Sequence, residues 1–167
     1  VGCTVAYLHP CPAGSEAGLF KQARVANRHG KEVNMTREIH SWLTDMDGVL
    51  VHEGHAIPGA PEFIKQLRDK ERPFLILTNN SIFTPRDLRA RLAASGIEVE
   101  EKSIWTSALA TAQFCANQIP GGSAYVIGEA GLTTALYEAG YTSTETDPDY
   151  VVLGETRTYS FEAITKA

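Results

Sequence analysis

The sequence predicts an α/β domain built on a parallel sheet. Three observations carry this. From residue 39 onward, short apolar runs alternate with helix-period segments in β-α-β-α-β-α order. Phe74-Leu75-Ile76-Leu77 is a continuous apolar run, which suits a parallel strand covered on both faces. Two of the runs end in polar clusters, Asp45-Met46-Asp47-Gly48 and Thr78-Asn79-Asn80-Ser81, at the strand ends where such sheets bind ligands.

The elements follow in order. A strand covers about 40–45, and a Gly/His-containing loop spans 48–58. Pro58-Gly59-Ala60-Pro61 opens a helix near 61–70, with Phe63, Ile64 and Leu67 on one face. After the strand at 74–77, Thr84-Pro85 starts a second helix, with Leu88 and Leu92 inward and Gly96 at its end. Ile104-Trp105-Thr106 is a short third strand, and Ser107 is expected to cap a helix reaching about 117. Ile119-Pro120-Gly121-Gly122 breaks the pattern, which then restarts: a strand at 124–127, a helix at 130–139 closed by Gly140, a strand at 150–153 and a helix from Phe161 to Ala167. The expected division is an N-terminal extension over 1–34, a first unit over 35–120 and a partial α/β unit over 121–167.

Residues 1–34 hold scattered Gly and Pro without clean periodicity, and the first methionine is Met35. They read as a loosely ordered tail, either an upstream extension or an artefact. Cys3, His9, Cys11 and His29 lie there, but their spacing matches no standard zinc site. The whole chain has 167 residues, 43% hydrophobic and 21% charged, which is globular rather than disordered. A net charge of -5 argues against a nucleic-acid partner. The sequence has neither an apolar stretch of transmembrane length nor the basic-then-apolar start of a signal peptide, so no membrane partner is expected. Three cysteines fit a reducing compartment better than a disulfide framework, and the protein reads as cytoplasmic.

Asp45 and Asp47 carry the chemistry. Asp is a poor strand residue, and two like charges placed close together are costly to bury. A site that binds a divalent cation and attacks phosphorus needs such a pair, one carboxylate as nucleophile and the other to move a proton. Gly48 lets the backbone turn sharply and present N–H groups to an anion. Two structural alternatives are weaker. A calcium loop of the EF-hand type wants glycine at position six and glutamate at position twelve, whereas here glycine is fourth and position twelve is Ala56. A surface Asp-Gly turn explains the tetrapeptide only if it stands alone. It does not: Thr78 follows Asp45 by 33 residues, about one βαβ unit, so adjacent parallel strands bring both clusters to one sheet edge. There the Thr78 hydroxyl and the amides of Asn79 and Asn80 can hold phosphate oxygens.

Here the sequence resembles the haloacid dehalogenase superfamily of phosphotransferases, whose first two motifs match Asp45-Met46-Asp47-Gly48-Val49-Leu50 and Thr78-Asn79-Asn80. It is more similar to the NagD-like branch, which includes 4-nitrophenylphosphatase-type, nucleotide and sugar phosphatases. The features are Ile57-Pro58-Gly59-Ala60, Leu77 to Ser81, Thr106-Ser107-Ala108, Tyr125 to Glu129 and Val151-Val152-Leu153-Gly154. The resemblance covers about 35–167. It implies a Rossmann-like core followed by the start of an α/β cap domain. It also implies that Asp45 attacks phosphorus to form an aspartyl-phosphate. Asp47 would protonate the leaving alcohol and then take a proton from water. Mg²⁺ would sit between Asp45 and phosphate with Asp47 as a further ligand through its backbone carbonyl. Thr78, Asn79 and Asn80 would orient the phosphoryl group, helped by the N–H groups of Met46 to Gly48. The implied substrate is a small phosphate monoester, a nucleoside monophosphate or sugar phosphate, and the cap is an expected surface for homo-oligomers.

The family's third motif, a lysine, and fourth, further acidic metal ligands, are expected beyond the cap and are not found here. Lys166 reads as a solvated helix residue, and Asp147-Pro148-Asp149 as a loop before a strand. The chain is therefore expected to be a fragment or a truncated gene product, and a non-catalytic remnant that binds only phosphate or a partner is the competing expectation. A phosphonatase would need a Schiff-base lysine, which Lys65 and Lys70 do not resemble in placement. His52 and His55 are expected on a flap surface, Trp42 and Trp105 in the core, and Cys115 as a buried small hydrophobe. Gly128-Glu129-Ala130-Gly131 lacks the spacing of a dinucleotide fingerprint.

Overall fold

The computed structural model describes residues 39–167 and two short strands before them, β1 (Val25–Ala26) and β2 (Glu32–Val33), which pair antiparallel. The remaining expectations for 1–34, including the zinc reading of Cys3, His9, Cys11 and His29, lie outside the described residues.

The first layer is a parallel three-stranded sheet. Strand β3 (Trp42–Asp45) is followed by a hairpin of β4 (Val51–His52) and β5 (His55–Ala56), then by helix α1 (Ala60–Asp69) and strand β6 (Phe74–Thr78). Helix α2 (Pro85–Ala94) leads to β7 (Ile104–Thr106), and the sheet order is β3-β6-β7. Both crossovers step in the same direction. Right-handed connections therefore place α1 and α2 on one face of the sheet. The core confirms it: Ile64 and Leu67 from α1 and Leu88 and Leu92 from α2 bury Ile76 and Ile104 between them. Helix α2 starts at Thr84-Pro85 as expected, and a capping box closes its first turn, with the Thr84 hydroxyl accepting from Asp87 N–H and the Asp87 carboxylate accepting from Thr84 N–H. Ile64 is fully buried. Ile64→Ala is expected to cost about 2–5 kcal/mol of folding stability, the usual range for an aliphatic core truncation. Urea titration followed by far-UV circular dichroism measures this, and a loss below about 1 kcal/mol would show that this core is not what holds the layer together.

The opposite face differs from the sequence expectation. Phe74 to Leu77 was expected to be covered on both sides, and Trp105 to lie in the core. Leu77 is instead 36% exposed and Trp105 39% exposed, side by side in register on the face away from the helices. Among the described residues no helix covers them. The stretch 48–58 also departs from a plain loop. It forms the β4–β5 hairpin, with Glu53 and Gly54 both at positive φ (49° and 80°), the conformation of a two-residue type I′ turn.

The second layer begins with α3 (Ser107–Gln118), followed by β8 (Ser123–Ile127), α4 (Ala130–Glu138), β9 (Thr142–Ser143), β10 (Tyr150–Leu153) and α5 (Phe161–Lys166). Its parallel sheet has the order β10-β8-β9. Ala108, Ala112 and Cys115 of α3 are small, so α3 packs closely against α4 through Leu132, Ala135 and Leu136. Cys115 is buried, as expected, and desolvation raises its thiol above the ordinary range. The Tyr141 hydroxyl lies 2.8 Å from the Cys115 carbonyl and 2.6 Å from that of Ile119, fastening the end of α3. No described helix is long and apolar enough to cross a membrane.

Candidate active site at the strand ends

Strand β3 delivers Asp45 as its last residue, opposite Leu77 of β6. The alternation of a strand then separates the next side chains: Met46 is buried in the core, while Asp45 and Asp47 are exposed. The Met46 carbonyl accepts from both Leu50 and Val51 N–H (2.9 and 3.1 Å), and Gly48 turns the chain at φ 79°. A β-carbon at Gly48 would meet nothing within 4 Å, so the positive φ rather than space is what favours glycine there.

Strand β6 brings Thr78 to the same edge. Thr78 is buried, and its hydroxyl lies 3.3 Å from Asp47 Oδ2 and accepts from Asn80 N–H at 3.1 Å. Asn79 is exposed, and its backbone carbonyl accepts from the Ser107 hydroxyl at 2.7 Å. Ser107 was expected to cap α3. Thr106 does so instead, accepting from Leu109 N–H at 3.1 Å, because Ser107 already lies inside the helix and its hydroxyl turns to the Asn79 loop. Asp45, Thr78, Asn79, Trp105 and Ser107 line an open cleft of about 510 Å³. Neither Ser107 nor Trp105 was assigned to the site from sequence. Only the small polar Thr106-Ser107 pair at a strand end hinted at it.

Three expected phosphate contacts are partly engaged elsewhere. Met46 N–H donates to Asp45 Oδ1 at 2.8 Å and lies 3.2 Å from the Leu77 carbonyl, and Gly48 N–H donates to the Val51 carbonyl at 2.8 Å. The Asn80 carboxamide oxygen accepts from Ile82 and Phe83 N–H (3.1 and 2.9 Å), forming a local turn. His52 and His55 face one another across the exposed hairpin.

Asp45 and Asp47 are hard oxygen donors. A small divalent cation takes one or two carboxylates and completes its shell with water and phosphate oxygens, so the donor set fits such an ion. Among the described residues, no three His, Cys, Asp or Glu side chains converge to enclose one. Lys65 pairs with Asp69 on the exposed face of α1, and Lys166 pairs with Glu145 while lying 5.7 Å from the Tyr125 ring. Asp149 accepts from Ser123 N–H and hydroxyl (2.7 and 2.8 Å), bonds that hold its carboxyl below the ordinary range and staple the loop before β10 to β8.

The chain has counterparts among known proteins. A family profile for haloacid dehalogenase-like hydrolases matches residues 42–142. The chain belongs to that family. Within it, the chain is 61% identical over 127 residues to a dihydroxyacetone phosphatase of Corynebacterium glutamicum, covering 76% of this chain and 46% of that protein. It is 44% identical over 129 residues to the ribonucleotide monophosphatase NagD of Escherichia coli, covering 77% of this chain and 51% of that protein. The solved NagD structure from Escherichia coli K-12 superposes with a TM-score of 0.73 at 42% identity, over 78% of this chain and 52% of that one. The chain thus spans about half the length of the curated relatives it matches.

Proposed function

We propose that the chain carries the nucleophile and the phosphate-orienting motif of a cytoplasmic, Mg²⁺-dependent phosphatase acting on small phosphate monoesters. One observation carries this: β3 and β6 place Asp45, Asp47 and Thr78 at one strand edge, with Thr78 in contact with Asp47. Asp45 attacks phosphorus, the P–O bond to the substrate breaks, and Asp47 gives its proton to the departing alkoxide. Asp47 then removes a proton from water. The resulting hydroxide attacks phosphorus, orthophosphate leaves, and the Asp45 carboxylate is regenerated. Thr78 and Asn79 orient the phosphoryl oxygens. Mg²⁺ held by Asp45 and Asp47 would offset the repulsion between a carboxylate and a phosphate dianion. The names of the relatives favour dihydroxyacetone phosphate and ribonucleoside monophosphates as the first substrates to assay.

The complete gene product carrying this chain is expected to release orthophosphate from dihydroxyacetone phosphate and p-nitrophenyl phosphate. EDTA should depress the rate roughly tenfold or more, and added Mg²⁺ should restore it. Full activity in EDTA would overturn the metal assignment. The absence of three converging metal-binding side chains among the described residues favours one second reading, a chain that binds phosphate without turning it over. Orthophosphate binding with no product release from any of these esters would establish it.

A further inference from the structure

The loop that carries the phosphate-orienting residues is built into the second layer. Glu129, at the start of α4, makes no side-chain cap. The helix is entered instead from the first layer: Gly131 N–H donates to the Ile82 carbonyl at 2.8 Å. The contact leaves no room for a side chain. A β-carbon on Gly131 would lie 2.6 Å from the Phe83 carbonyl oxygen and 2.7 Å from that of Ser81, both backbone atoms. Beside it, the buried Ser81 hydroxyl accepts from Glu155 N–H at 2.9 Å, just past the end of β10. Gly154 completes the joint, since a β-carbon there would lie 2.7 Å from Leu132 Cδ2 and 3.2 Å from Ser81 Oγ.

From this joint an unbroken series of hydrogen bonds runs to the catalytic pair. Ile82 and Phe83 N–H donate to Asn80 Oδ1, Asn80 N–H donates to the Thr78 hydroxyl, and that hydroxyl donates to Asp47 Oδ2. We propose that Gly131 and Ser81 are positioning residues, which set the Thr78–Asn79 geometry by locking its loop onto α4 and the end of β10. The inference rests on the phosphatase reading and extends it, because it makes the second layer the backstop of the phosphate site. Packed elements linked in this way transmit small displacements, since neither the helix end nor the loop backbone can yield locally.

The test compares Gly131→Ala, Ser81→Ala and Leu136→Ala in the complete gene product, with p-nitrophenyl phosphate as substrate and orthophosphate as inhibitor. Leu136 is buried on α4 among Ala112, Cys115 and Tyr141 in the second hydrophobic cluster, away from the 78–83 loop in its packing, so its truncation reports loss of helix packing alone. Gly131→Ala is expected to raise KM and the orthophosphate inhibition constant about tenfold, with kcat changed less, and Ser81→Ala to raise both about threefold, in line with one lost buried hydrogen bond. Leu136→Ala is expected to lower Tm and leave both constants unchanged. If Gly131→Ala does not fold, Ser81→Ala decides. Active wild-type protein with unchanged constants in the folded loop variants, or Leu136→Ala shifting them equally, would overturn the positioning role alone. Wild-type protein that neither turns over the ester nor binds orthophosphate would overturn the phosphatase reading and this inference with it.

Discussion

Asp45→Asn is expected to lower turnover by on the order of 10⁴-fold or more, the scale seen when a covalent nucleophile is removed. An amide oxygen has neither the charge nor the basicity to displace a leaving group from phosphorus. The fold is expected to persist. Asp45 is exposed at the end of β3, and an Asn oxygen can still accept the Met46 N–H that Asp45 Oδ1 accepts at 2.8 Å. Steady-state release of orthophosphate, measured alongside a thermal melt, separates chemistry from folding. Mass spectrometry of acid-quenched reactions adds a direct check: the wild-type protein should carry a phosphoryl group at Asp45, and the variant should not. More than about one hundredth of the wild-type rate in a folded variant would remove Asp45 from the nucleophile's role.

Asp47→Asn has a different signature because its two roles fall in different half-reactions. The loss in steady-state turnover is expected to be about 10²–10⁴-fold, the usual contribution of a positioned acid–base group. With an alkyl phosphate such as dihydroxyacetone phosphate, the first step itself stalls, since the alkoxide needs a proton to depart. With p-nitrophenyl phosphate, the leaving group departs as a stable anion, so phosphorylation of Asp45 proceeds and only hydrolysis is slow. Stopped-flow absorbance should then show a burst of about one p-nitrophenolate per protein followed by a slow phase. An equal loss on both substrates with no burst would mean that Asp47 acts only through the geometry of Thr78, whose hydroxyl it meets at 3.3 Å.

Much of this architecture was legible before the structure. The parallel strands, the helices between them and the second αβ unit follow from local periodicity. The two polar clusters mark their strand ends because Asp and Asn are poor strand residues and follow directly on the apolar runs. Local pattern also marked the start of α2 at Thr84-Pro85, where the structure adds Asp87 to complete a capping box. It misjudged the start of α3, because Thr106 and Ser107 are equally good caps and only the nearby Asn79 carbonyl distinguishes them.

By itself, then, the sequence determined the fold class, the order of the elements and the placement of Asp45, Asp47 and Thr78 at neighbouring strand ends, because each depends on residues close together in the chain. The tertiary structure alone decided which face of the first sheet is covered, leaving Leu77 and Trp105 at the cleft, because the direction of two crossovers sets that face and no single strand records it. It alone decided that the Ser81 hydroxyl accepts from Glu155 N–H, 74 residues away, and that a β-carbon at Gly131 would meet the Phe83 and Ser81 carbonyl oxygens at 2.6 and 2.7 Å. Contacts at such separations arise from how two packed layers meet, and close packing, unlike periodicity, leaves no local repeat in the sequence.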